Sequence, residues 1–170
     1  MKKHSGMRPH DIVVLLKIAA KQGTSWYMKD LAYELGISGS EVSESINRSV
    51  IAGLIFGDKK RLMKSALLDF LKSGLPYVYP QQPGSLVRGM PTAHSAAPLN
   101  KIIQSEEPYV WPYSKGTVRG QAVEPLHVNV PEACLKDRIF YEYMVLCEAI
   151  RLGKVREKNI ALEELEKRLG

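Results

Sequence analysis

Eight of the chain's ten prolines fall between residues 74 and 130. Proline fixes φ at about −65° and offers no backbone N–H, so this stretch excludes a long helix or a central strand. It must be built from short strands, turns and extended pieces. The two remaining prolines, Pro9 and Pro131, sit where helical periodicity begins, a position proline favours. Three segments follow: residues 8–73, helices with a short strand pair; 74–130, broken by proline; and 131–169, helical again. The expected fold class is α+β. At 170 residues two small units are expected, 1–73 and 74–170.

The net charge of +6 is unevenly placed. Residues 1–75 hold twelve Lys and Arg against seven Asp and Glu, whereas residues 131–170 hold eight of each. A local excess of positive charge fits an anionic partner such as nucleic acid, and equally fits mere solubility. The longest apolar run, Ile12–Leu16, is far short of the roughly 20 residues a membrane helix needs. No apolar stretch precedes Asp11, so no signal peptide is expected. Cys134 and Cys147 lie in no ligand-spaced pattern and read as reduced thiols of a cytoplasmic protein.

The first helix is expected from Pro9 to about Lys21, with Ile12, Leu15, Leu16 and Ala19 on one face. A second, MKDLAYELG, turns Leu31, Ala32 and Leu35 inward and stops at Gly36. Ser38 and Glu41 then form an S-x-x-E capping box that opens a third helix. A connection of about three residues forces the two helices to cross steeply, the helix-turn-helix geometry. Ile37, Val42, Ile46 and Val50 face the core. The opposite side of the third helix is expected to show Ser40, Ser43, Glu44, Asn47 and Arg48. Serine and asparagine are poor helix formers, so a solvated helix would favour Lys and Glu. Beyond it, Leu54–Phe56 and Arg61–Met63 can pair as a hairpin across Gly57-Asp58-Lys59-Lys60.

These features, DLAYELGIS, SEVSESINR, AGLI and the basic turn, resemble the winged helix-turn-helix domain of prokaryotic transcription regulators over about a third of the chain. The resemblance implies that the third helix enters the major groove of double-stranded DNA and the hairpin rides on the backbone as a wing. Ser38, Gly39, Ser40, Ser43, Glu44, Asn47 and Arg48 would then face DNA. Asn47 suits adenine, Arg48 a guanine edge or a phosphate, and Glu44 a cytosine amino group. Lys59, Lys60 and Arg61 would be positioning charges. The alternative is a winged helix used for protein contacts. The whole layout also loosely resembles small winged-helix antitoxins that accompany nucleotidyltransferase-like partners.

One phrase occurs twice. Pro76-Tyr77-Val78-Tyr79-Pro80 matches Pro108-Tyr109-Val110-Trp111-Pro112; Gly84-Ser85 matches Gly116-Thr117; and Val87-Arg88-Gly89 matches Val118-Arg119-Gly120. Each copy (76–89 and 108–120) reads as a small β-hairpin blunted by proline. The pair would be a structural β-unit or, alternatively, an aromatic and arginine site for an anionic ligand or partner, with Tyr79, Arg88, Trp111 and Arg119 as candidates. His94, between the copies, reads as an ordinary loop histidine.

Pro131 opens a helix expected to run to about Leu152, with Leu135, Ile139, Tyr143, Leu146 and Ile150 in one stripe and Phe140, Met144 and Cys147 widening it. So broad an arc needs cover on two sides, by the rest of the chain or by a second copy in a homodimer. A last helix is expected over about 155–169. No catalytic, cofactor-binding or metal-binding signature occurs; the histidines at 4, 10, 94 and 127 are scattered, and Glu106-Glu107 reads as solvated charge. The chain is read as a non-enzyme without a cofactor.

Overall fold

The computed structural model describes residues 6–105 and 107–170; residues 1–5, with His4 and the basic start, and Glu106 lie outside them. The fold is α+β. Helix α1 (Pro9–Ala20) leads to α2 (Met28–Leu35), α3 (Gly39–Ile51), α4 (Lys64–Ser73) and a single turn, α5 (Leu75–Val78). Strands β1 (Leu86–Pro91), β2 (Tyr109–Pro112) and β3 (Val118–Ala122) follow, then α6 (Val130–Leu135), α7 (Arg138–Leu152) and α8 (Val155–Leu169). No helix among the described residues is long and apolar enough to cross a membrane.

Helix α1 is the centre of the molecule. Its sequence is apolar on every side, and all residues from Asp11 to Ala20 are buried, not the single stripe that periodicity marks. Helices α2 and α3 pack on it from one direction and α7 from another. Lys17, buried among them, is neutralised by Asp137 at 2.7 Å and lies over the Phe140 ring. One apolar cluster runs from Ile12 to Leu169 and continues across the boundary expected at residue 73.

The long C-terminal helix expected from Pro131 is two helices. The Asp137 side chain accepts the Phe140 N–H at 3.1 Å, which starts a new helix there, and the ion pair with Lys17 fixes that residue to α1. Leu135, expected in the apolar stripe, is therefore left exposed. The broad apolar arc of α7 is covered within the chain, by α1, α4, α5 and α8.

The two copies of the repeat are not two hairpins. In the first, Pro76 sits in the opening turn of α5, where its missing N–H costs nothing. Only its second half is a strand. In the second copy, β2 and β3 run in the same direction, and both pair antiparallel with β1. They meet at Gly89, whose Cα partners are Pro112 on one side and Val118 on the other. A parallel pairing of Tyr109–Val110 with Gln121–Ala122 closes the sheet on itself. Backbones so close leave no room for side chains: a Cβ on Gly89 would lie 2.0 Å from the Trp111 oxygen, and one on Gly116 would lie 2.2 Å from the Gly89 oxygen.

A candidate nucleic-acid interface

The α2–α3 junction is built by local chemistry. Gly36 takes a left-handed conformation (φ 67°), and the N–H groups of Gly36 and Ile37 reach back to the carbonyls of Tyr33 and Ala32. That pair of hydrogen bonds is the Schellman stop, which needs a residue free of Cβ strain. Ser38 caps α3 by accepting the Glu41 N–H at 3.1 Å. Asn129 donates to the Gly36 carbonyl at 2.8 Å, so the chain entering α6 braces the turn from outside.

On α3, Ser38, Gly39, Ser40, Glu41, Glu44 and Asn47 are exposed and Ser43 is half-buried. Arg48 is not on this face. It is buried and forms a two-pronged pair with Asp11 of α1, Nε to Oδ2 at 2.8 Å and Nη2 to Oδ1 at 2.7 Å. His10 Nε2 lies 3.2 Å from the same Nη2. Asp11 has no solvent exposure, so its charge requires a partner. Burial pushes the Asp11 carboxyl up, but bonds from Arg48 and the Arg8 amide outweigh it and hold the group below its ordinary value. Arg48 thus fixes α3 against α1 and is removed from the outward set. What remains on the outer face is polar apart from the exposed Ile51 at its C-terminal end, and carries two carboxylates and no cation.

Positive charge is supplied by the hairpin after α3. Leu54–Phe56 and Arg61–Met63 pair through one bridge, Ile55 with Leu62, closed by bonds from Phe56 N to Arg61 O and from Met63 N to Leu54 O. Lys59 sits at the tip with φ 61°. Lys60 folds back, its ammonium 2.8 Å from the Trp26 carbonyl and 4.2 Å above the Trp26 ring. Arg61 pairs with Asp58 at 2.7 Å, lies over Phe56 and keeps the Asp58 carboxyl down at about 2. Beneath the hairpin runs an open groove of ≈ 980 Å³, with Ile18, Trp26 and Tyr143 in its walls and Lys60, Arg61 and Lys64 among its cations. Lys29 and Lys60 both approach the exposed ring of Tyr27. Among the described residues, Lys29, Lys59, Lys60 and Lys64 have no carboxylate partner. A ring face holds an ammonium without cancelling its charge.

The four candidates from the repeat are pulled apart. Trp111 is fully buried, and its indole N–H donates to Glu148 Oε2 at 3.1 Å. Tyr79 is half-buried; its carbonyl accepts from Arg151 Nε at 3.0 Å. Arg151 also binds Glu148 at 2.6 Å and the Glu124 carbonyl at 3.2 Å. Arg88 and Arg119 lie outside, exposed and directly opposed across β1 and β3. The aromatics therefore serve the core, and no joint aromatic–arginine pocket forms. His94 is a buried residue bonded to the Glu107 carbonyl at 2.8 Å, its ring against Tyr109. Sequence reasoning missed Glu148 and Arg151, although an acid and a base three apart within the apolar arc of a helix mark such a pair. It also missed Trp26 and Lys64, which line one groove only when the hairpin folds back, and Lys29, which shares the Tyr27 ring with Lys60.

Compared with protein-family models, curated proteins and solved structures, the chain matches none.

Proposed function

We propose that the chain is a sequence-specific DNA-binding transcriptional regulator of the winged-helix type, with α3 directed at the major groove and the 54–63 hairpin as its wing. The supporting observation is the set of four lysines around the hairpin, Lys29, Lys59, Lys60 and Lys64, none neutralised by a carboxylate among the described residues. Phosphate contacts of this kind give affinity and position, and base edges give sequence. With Arg48 inside, base reading falls to Asn47, Ser40, Ser43 and Glu44, and Asn47 is the one suited to a bidentate contact with adenine. A palindromic site would require a homodimer joined elsewhere than through the covered face of α7.

The test is binding to the DNA upstream of the chain's own gene against scrambled DNA, at two salt concentrations. A preference of about a thousandfold that survives the higher salt is expected. Equal, salt-labile binding to both would reduce the site to a basic surface. The Lys59 and Lys64 side chains make no hydrogen bond or ion pair among the described residues, so replacing both by Gln should lower the log–log salt slope by about 2 for every sequence alike. Asn47→Ala should cost about 1–3 kcal/mol on the best site and relax its base preference.

A second reading, an antitoxin-like interaction protein for a nucleotidyltransferase-like or other partner, is favoured by apolar side chains exposed in the first copy of the repeat. Tyr77, Val78 and Leu86 belong to the repeat and are more than half exposed. Under that reading, Tyr77→Ser with Val78→Ser abolishes capture of the partner and leaves DNA binding unchanged.

A further inference from the structure

The antiparallel register of β1 and β3 sets Val87 opposite Gly120, Arg88 opposite Arg119, and Gly89 opposite Val118. The two copies of Val-Arg-Gly are thus paired head to tail about a local twofold, with the arginines at its centre. Directly opposed residues have Cβ atoms only about 4.5–5.5 Å apart, and like charges there oppose folding. Both arginines are exposed, and among the described residues neither guanidinium has a carboxylate or any other hydrogen-bond partner, although the Arg88 carbonyl accepts the Tyr113 N–H. The same chain neutralises Arg48, Arg61, Arg151 and Arg168 with carboxylates. The repeat therefore sets two arginines directly opposite each other, with no compensating carboxylate among the described residues, an arrangement of like charges that disfavours the sheet.

We propose that Arg88 and Arg119 form a two-pronged site for a phosphate oxyanion. Guanidinium forks bind such oxygens in pairs, and one anion between two forks turns their repulsion into attraction. The phosphate belongs either to a nucleic-acid backbone or to a small phosphate ester. The site is independent of α3 and of the hairpin lysines.

The experiment is thermal unfolding of the whole chain in pyrophosphate, against sodium chloride of equal ionic strength. Above its Kd, each tenfold rise in pyrophosphate should raise Tm by about 3–5 °C. In the Arg88→Gln/Arg119→Gln variant that response should vanish, while Tm in low chloride stays equal to the native value or exceeds it. A native chain indifferent to pyrophosphate overturns the proposal, as does a variant that responds like the native chain. A variant that loses several degrees in chloride overturns it too, because the arginines would then be holding the sheet. A random duplex separates the two sources. If the backbone is the ligand, the variant's salt slope on that duplex falls by about 2. If a small ester is the ligand, duplex binding is unchanged and only the pyrophosphate response is lost.

Discussion

Residues 76–80 read PYVYP and residues 108–112 read PYVWP, yet the first forms a turn of helix and the second a strand. In the first, the N–H groups of Tyr77, Val78 and Tyr79 bond back to Gly74 and Leu75, continuing the helical path that α4 delivers. Tyr77 is left 81% exposed. In the second, among the described residues, no α-helix runs into the segment. Val110 and Trp111 are buried, Tyr109 N–H finds Ser95 Oγ at 2.9 Å, and the Val110 carbonyl receives Val123 N–H at 2.8 Å. Four residues cannot nucleate a structure of their own. The comparison teaches that the repeat specifies proline-bounded ends and a Val-Arg-Gly strand, and that its aromatic half takes whatever hydrogen-bond partners its neighbours offer.

Both aromatics nevertheless end near a buried acid–arginine pair: Tyr79 within the field of Asp11 and Arg48, Trp111 on Glu148 and Arg151. Removing one member of such a pair strands the other, so Arg151→Ala and Arg48→Ala should each cost about 3–5 kcal/mol in urea unfolding. They should differ in reach. Arg151 also holds the carbonyls of Tyr79 and Glu124, so its loss should expose β1–β3 amides to hydrogen exchange, whereas the loss of Arg48 should leave them protected. A stable Arg48→Ala protein with weakened DNA binding would return Arg48 to the outer face. Acid should act through the same pair. Asp11 titrates lower folded than unfolded, so its contribution is complete above about pH 4 and fades as pH falls further; Asp11→Asn should remove that part of the acid limb.

The glycines sharpen the contrast. Gly84 and Gly116 are aligned in the repeat, but a Cβ on Gly84 meets nothing nearer than 3.7 Å, while one on Gly116 strikes the Gly89 backbone. Gly116→Ala should cost about 3 kcal/mol and Gly84→Ala about 0.5 kcal/mol or less, measured by the same unfolding. Similar losses at both positions would mean that the two turns are equivalent after all.

What the sequence made legible was what neighbours in sequence decide. Pro9 at a helix start, the stop at Gly36 and the Ser38 cap each act within a few residues, and α1 to α3 end close to where those signals put them. Arg48 and Asp11 are 37 positions apart, and the same separation divides Trp111 from Glu148. No periodicity announces such partners, and so Arg48 reads as surface, while Trp111 reads as core of a β-unit or, alternatively, as part of a pocket, with nothing to name Glu148 as its partner. The hairpins failed for a related reason, since β2 and β3 are assigned by their common partner β1 and not by the turn between them. Asp137 was readable: an Asp just before a fresh run of Ile and Phe is a helix cap, hidden here by the continuous apolar stripe.

The smallest expected effect separates the two aromatics themselves. The Tyr79 hydroxyl is buried with no hydrogen-bond partner among the described residues, so its desolvation is unrewarded and Tyr79→Phe should change stability by about 0.5 kcal/mol or less, with a gain more natural than a loss. Trp111→Phe removes the indole donor from Glu148, a carboxylate without solvent exposure, and should cost about 1–3 kcal/mol. Exchanging the residues asks whether sequence or place matters. Tyr79→Trp should be tolerated at a half-open site, whereas Trp111→Tyr should lose most of what Trp111→Phe loses, because the phenol hydroxyl does not occupy the indole nitrogen's position. If Trp111→Tyr is instead silent, Glu148 is satisfied by Arg151 alone, and the one substitution that distinguishes the two PYV-aromatic-Pro phrases has no part in their different folds.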